Sequence, residues 1–330
     1  MRVVEIDPQT FLDIYPPSFS ELKSFIMGTL DTIHDKKGVL LALKENGSYS
    51  GRVMAFIDST YESYGEKVGS FGWIYGARSK HLKLLLSVAE EYLKAQGVAV
   101  IRGPRNDPVF FGGQGILVHG FNQPLLFGIP ENEIWLGRAL QKCGYDYNTQ
   151  YYCIRWNAPY SRWTDKKDSE ILLTNLEYED MEDRASEIAQ LYNNCMKNMP
   201  DMTKLDRFSV INFIHFYRLI NAKDFLFFAL CDDKIVGLAV LIPNLYDLWS
   251  RNPIRNLNWY IADVSREYRG RFIFSAMKNA VMNLLDKKKI PAYEGTYIWD
   301  ENQQMIDMCL RTGKLVRKHL IFSKDLNGGA

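Results

Sequence analysis

The sequence predicts an α/β (α+β) protein built from two tandem domains, each a mixed central sheet flanked by helices. Three observations predict it. Strand-like and helix-like apolar periods alternate along the chain. A polar, proline-containing stretch at 157–170, "NAPYSRWTDKKDSE", interrupts them near the middle. After it the same order of elements starts again. The 330 residues are ample for two cores. Identity between the halves is weak, so one large α/β domain is the alternative.

The elements follow in order. "GVLLALKE" (38–45) and "GRVMAFIDST" (51–60) read as a hairpin joined by a Gly/Ser turn. "EKVGSFGWIY" (66–75) is a third strand. A helix follows, with Leu82, Leu85, Leu86, Ala89, Tyr92 and Leu93 on one face and Gly97 placed as its cap. "VAVIRGP" (98–104) is a buried strand. "FFGGQGILVHGF" (110–121) reads as a glycine-rich loop, 134–140 as a short helix and 145–156 as a closing strand.

The second half repeats this order. "EILLTNL" is a strand, and helices cover 180–197 and 206–221. Residues 224–243 form a hairpin turning at Asp232–Asp233, and 257–264 is a strand. The next helix carries Ile273, Ala276, Met277, Ala280, Val281, Leu284 and Leu285 on one stripe. A strand (290–299), a helix (301–312) and a strand (314–323) finish the chain. The expected domains are therefore 1–157 and 170–330, with 158–169 as linker.

Composition narrows the function. A net charge of +1 gives no clear nucleic-acid signal. No apolar run is long enough for a membrane helix, and the N-terminus has no signal-peptide pattern. The 5 cysteines form no C-x-x-C pair and the 5 histidines are scattered, which argues against a metal site and for a reducing, cytoplasmic setting.

One junction carries a more specific resemblance. "VSREYRGRFIFSAM" (264–277) resembles the strand-to-helix turn of the GCN5-related N-acetyltransferase (GNAT) superfamily, where the pyrophosphate of acetyl-CoA rests on a helix N-terminus. "EGTYIWDEN" (294–302) resembles the strand and asparagine that follow. Across nearly the whole chain, "GSFGWI", "IRGPRND", "GILVHGFNQP", "KCGYDY", "LYNN" and "IPNLY" are similar to segments of tandem-GNAT proteins. The resemblance implies an acyl-CoA-dependent N-acyltransferase acting on a small-molecule or peptide amine. Acetyl-CoA or another acyl-CoA would be its cofactor.

It also implies site residues. Ala262, Val264, Arg269, Gly270, Arg271, Phe272, Ile273, Phe274 and Asn302 would surround the cofactor. Glu294 and Tyr297 would flank the acyl site, Glu294 as base. Asp263 is a further base candidate. Two departures stand out. Phe272 and Phe274 replace the small residues that let the backbone approach the pyrophosphate. Cys309 occupies the place of the usual tyrosine acid. The N-terminal half, with "YGARSKHLK" (75–83) at the equivalent turn, lacks the glycine pattern and is expected to scaffold. The departures motivate a second reading: a cofactor-less pseudo-acetyltransferase that binds or scaffolds.

Overall fold

The computed structural model describes residues 1–14, 20–76, 79–162 and 168–327. Residues 77–78 of the N-terminal turn and 163–167 of the expected linker lie outside the described residues. The described chain forms two compact units. The first comprises residues of Met1–Tyr152, Trp299–Asn302 and Val316–Ala330; the second, Cys153–Ile298 and Gln303–Leu315. The last strand of the chain is thus built into the first unit, whose Val100–Gly103 pairs with residues 322–325.

In the first unit the strands pair in the order Arg2–Glu5, Val39–Glu45, Ser48–Phe56, Gly69–Tyr75, Val100–Gly103 and Lys314–Asp325. Gly69–Tyr75 and Val100–Gly103 run parallel, and the other neighbours run antiparallel. A parallel pair requires a crossover, and the helix Ser79–Ala95 supplies it. The expected stripe holds: Leu82, Leu85, Leu86, Ala89 and Leu93 are fully buried. Gly97, at φ +82°, closes the helix end, where Val98 N donates to Leu93 O at 3.1 Å. One expectation is corrected. Within the glycine-rich 110–121 segment, Ile116–His119 is a strand pairing antiparallel with residues 318–320. Its partner is some 200 residues away in sequence, so local composition could not reveal it.

The second unit repeats the plan. Its strands pair in the order Ala292–Trp299, Leu257–Val264, Lys234–Pro243, Leu226–Cys231 and Leu172–Thr174. Only Leu257–Val264 and Ala292–Trp299 are parallel among these, linked through the helix Ile273–Lys288. The hairpin turns where expected: Asp232 and Asp233 both take positive φ, as a two-residue turn matching strand twist demands. The helix expected over 180–197 is broken at Arg184 into Tyr178–Asp183 and Ala185–Met196. The buried face of Ile273–Lys288 carries Ile273, Met277, Val281, Met282, Leu285 and, unexpectedly, Lys278.

Candidate functional site: the splayed strands of the second unit

Leu257–Val264 and Ala292–Trp299 pair only at Asn258↔Glu294 and Trp259↔Gly295. Beyond Trp259 the first strand continues without that partner, so the two splay apart. A bulge assists. The register against Lys234–Pro243 shifts between Val240 and Leu241, leaving Tyr260 as the extra residue. The strand then ends in a short 3-10 turn, Arg266–Tyr268, and enters the helix at Phe272. The resemblance implied a splay at residue 262, and pairing stops three residues earlier, at Trp259↔Gly295.

Phe272 is the helix N-cap and adopts the left-handed conformation, φ +60° and ψ +13°. Such a conformation costs a bulky residue about 1–2 kcal/mol. The backbone therefore keeps the kink that a glycine would take freely, while the ring at this position is 44% exposed. The Phe272 side chain, a hydrocarbon ring, makes no cap hydrogen bond of its own. The first intrahelical bond near it runs from Ala276 N to Phe272 O, 2.9 Å. Helix N-termini leave N–H groups without intrahelical partners, a setting suited to phosphate. Ile273 is buried below the cap, and Gly270 is exposed at φ +84°.

The side chains around this frame are less open. Phe274 turns inward, and its ring stacks on the Trp259 indole at 5.9 Å between centroids and 14° between planes. Trp259 also meets Tyr293 of the partner strand at 5.9 Å, and Tyr293 stacks on Trp156 at 4.8 Å. Rings from both strands and from the following helix thus meet beside the two paired positions. Trp259 further donates its indole N–H to the Ile261 carbonyl at 2.7 Å. That carbonyl lies on the strand whose edge, at Ala262 and Val264, was expected to face the cofactor. Arg271 is held by Asp168 and Glu170, each at 2.6 Å, and lies over the Tyr268 ring. Arg269 is exposed and donates Nε–H to Val264 O at 3.3 Å.

Two of the three expected catalytic residues, Glu294 and Cys309, are enclosed. Glu294 has no exposed surface. It accepts from Asn256 Nδ2 at 3.2 Å and faces Arg155 Nη1 at 3.7 Å, so its charge is balanced. Cys309 is buried, and burial pushes its thiol up to about 11, with Lys278 opposing the shift. A thiol at that level is a poor thiolate donor near neutral pH. Tyr297 is half-buried at φ +55°. Asn302 is exposed and falls among the first unit's residues.

Two buried titratable groups stand out, only the first of them unexpected. Lys278 sits one helical turn below Phe274 on the same face. It is 2% exposed, its ammonium 5.9 Å from the centre of the Trp156 ring. Burial lowers its pKa to about 8, with Cys309 opposing. A charged residue inside the apolar stripe was the visible signal for it. Asp263, the secondary candidate, is 5% exposed and raised by burial to about 7, with Arg269 opposing. Its Oδ2 has no hydrogen-bond partner among the described residues.

The first unit has the same splay, closed differently. Its parallel strands pair only at Gly69↔Ile101 and Ser70↔Arg102. The chain following the second strand then folds back onto the first. Arg105 N donates to Phe71 O at 2.7 Å, Trp73 N to Asn106 Oδ1 at 2.6 Å, and Trp73 Nε1 to Asp107 O at 2.9 Å. A Cβ on Gly72 would lie 1.8 Å from the Arg105 carbonyl, so only glycine permits the approach. Arg105 is buried and anchored to Asp58 at 3.0 Å and Asp107 at 3.1 Å, and Lys36 adds 2.6 Å to Asp107. Burial pushes the Asp58 carboxyl up, but Arg105 and Lys36 outweigh it and hold it below the usual range.

No protein-family model matches the chain, and no curated protein sequence matches it. Solved structures do. A tandem GNAT protein from the clavulanic acid biosynthesis pathway, solved without acetyl-CoA, superimposes over 100% of this chain and 99% of its own, with TM-score 0.62 and 11% identity. A GCN5-related N-acetyltransferase from Sphaerobacter thermophilus covers 99% and 96%, with TM-score 0.55 and 11% identity. A GCN5-related glucosamine N-acetyltransferase region of a fungal multi-domain β-N-acetylglucosaminidase reaches TM-score 0.61 at 16% identity, over 98% of this chain and 38% of that one. With the parallel-strand splay present in each unit, the likeness settles the architecture: the chain carries the fold of the GCN5-related N-acetyltransferases, twice in tandem.

Proposed function

We propose that this chain is a GNAT-fold binding or scaffolding protein that does not transfer acyl groups. One observation carries the reading: in the first unit, the place where the parallel strands part is filled by the chain itself, and in the second two rings stack beside the last paired position. Arg105–Asp107 does so in the first unit through main-chain and side-chain hydrogen bonds. In the second, Phe274 of the helix stacks on Trp259 of the last paired position. We read these residues as a poor fit to acyl-CoA: the first unit's opening is occupied, and Phe272 and Phe274 stand where a cradle in the second would need small residues. Burial of Glu294 and Cys309 supports the same reading, since neither presents a proton-transferring atom to an incoming amine or thiolate.

A specific observation favours the second reading, an acyl-CoA-dependent N-acyltransferase acting on a small-molecule or peptide amine. The main-chain frame of a cofactor cradle persists: a splay and a left-handed turn at Phe272, whose own side chain does not cap the helix. Acetyl-CoA supplied with a panel of amines and peptides separates the two. The binding-protein reading expects no thiol release above the buffer rate; turnover with any amine, lost in a Phe274→Glu variant, would establish the acyltransferase instead.

A further inference from the structure

We infer that the outer strand of the first unit, Arg2–Glu5, is a docking edge for an extended peptide whose lysine or arginine side chain enters the cleft where that strand ends. Such a partner deepens the binding-protein reading above, on which the assignment rests. Arg2–Glu5 pairs antiparallel with Val39–Glu45 and has no strand on its other side among the described residues. Along an antiparallel strand, main-chain groups alternate between facing the partner and facing away. Ile6 N donates to Leu40 O at 3.0 Å, so Ile6, Val4 and Arg2 face the partner strand. Val3 and Glu5 therefore turn their N–H and C=O outward, where no main-chain group among the described residues meets them.

Another outer strand of the same unit shows what closure looks like. Ile116–His119 pairs on one side with residues 318–320. At its other side Leu117 N donates to Asn132 Oδ1 at 2.7 Å, and Asn132 Nδ2 donates to Leu117 O at 3.2 Å. One amide side chain thus takes the place of a neighbouring strand there. Folded proteins commonly cover such edges, and Arg2–Glu5 has no equivalent cover among the described residues.

A cleft of about 380 Å³ lies at the end of this open edge. Glu5, Asp7, Ile33, His34, Leu40 and Tyr49 line it. Ile33 and Leu40 are buried and give it an apolar floor, whereas Glu5, Asp7, His34 and Tyr49 are exposed. Its lining holds two carboxylates and no lysine or arginine. Lys44, whose ammonium sits 5.4 Å from the centre of the Tyr49 ring, is not part of it. Glu5 makes no hydrogen bond or ion pair among the described residues. Asp7 caps the helix Pro8–Ile14 through Thr10, at 2.6 Å to the hydroxyl and 2.9 Å to the main-chain N–H. Those bonds hold its carboxyl below the usual range, so it stays charged at neutral pH.

The partner's chemistry follows from the two features together. An outward-facing edge takes an extended main chain as an added strand. A cleft with an apolar floor and acidic walls takes an aliphatic stem that ends in a cation. A peptide carrying a lysine or arginine supplies both. A free amine would use the cleft alone, and an acidic peptide would be repelled by Glu5 and Asp7.

The test selects a displayed library of randomised short peptides on the immobilised full-length chain. The expected result is enrichment of peptides with lysine or arginine at one position. Their affinity should fall at least about tenfold for Glu5→Lys, and by a similar factor when alternate peptide amides are N-methylated. Amide exchange at Val3 and Glu5 should slow on binding. If Glu5→Lys does not fold, judged by circular dichroism, Glu5→Gln takes its place. Enrichment no greater than on the Glu5→Lys chain, enriched peptides without a basic residue, or unchanged exchange at Val3 and Glu5 overturns the site. A chain that sediments as a dimer, and as a monomer after Glu5→Lys, overturns it too, because the occupant is then a second copy. Each of these outcomes leaves the binding-protein reading standing; turnover of acetyl-CoA by the unaltered chain is what overturns that reading.

Discussion

Lys278 offers a quantitative test of how the second unit is packed. Its ammonium is enclosed on the helix Ile273–Lys288 between Trp156 and Cys309, and burial lowers its pKa from 10.5 to about 8. A depressed lysine pKa means that the folded state disfavours the charged form. The penalty is fully present below the folded pKa and fades as pH rises through the unfolded value. A difference of about 2.5 units corresponds to about 3 kcal/mol at pH 7, falling to about 1 kcal/mol at pH 10. Contact with the Trp156 ring offsets about 1 kcal/mol of it. Lys278→Met keeps the length and removes the charge. It should stabilise the second unit by about 2–3 kcal/mol at pH 7, and by clearly less at pH 10. Urea denaturation at both pH values reads this as a shift in midpoint at constant slope. A destabilised variant at pH 7, or a gain independent of pH, would refute the enclosed-ammonium account.

Three further predictions follow from other positions. Asp263 has a folded pKa raised to about 7, so its penalty is absent below the unfolded value, grows as pH rises towards 7 and is complete above it. Asp263→Asn should therefore stabilise by about 2–4 kcal/mol at pH 8 and by little at pH 4, as thermal melts across that range would report. Gly72→Ala should destabilise the first unit by about 3 kcal/mol or more, because the added Cβ meets the Arg105 carbonyl at 1.8 Å; an unchanged denaturation midpoint would remove the claim that this unit closes on its own backbone. Phe272→Gly should raise stability by up to about 1 kcal/mol, since it relieves the left-handed φ and gives up a ring that is 44% exposed; a loss of more than about 1 kcal/mol would show that the ring is anchored.

The fold was readable wherever apolar period and turn chemistry agree. Asp232–Asp233 announced its hairpin, Gly97 its helix end, and Leu257–Val264 its strand to the residue. The strand Ile116–His119 was hidden, because glycines dominate its neighbourhood and its pairing partner lies near the C-terminus. At the candidate site, the sequence identified Phe272 and Phe274 as departures from a phosphate cradle. It could not show that the two rings go different ways, one outward over a left-handed turn and one inward onto Trp259. The roles of Trp259 and Gly72 are tertiary: one depends on the Phe274 ring and the other on the Arg105 carbonyl, both delivered by folding. Lys278 was visible as a letter but sat inside an apolar stripe, where a reading of hydrophobic period passes over charges.

The most direct measurement is a calorimetric titration of the unaltered, full-length chain with acetyl-CoA at neutral pH. The occupied opening of the first unit and the bulky Phe272 and Phe274 at the helix start of the second predict no binding heat at ligand concentrations of about 100 μM, well above what a micromolar site requires. A saturable, one-to-one isotherm with micromolar affinity would contradict the account at its centre.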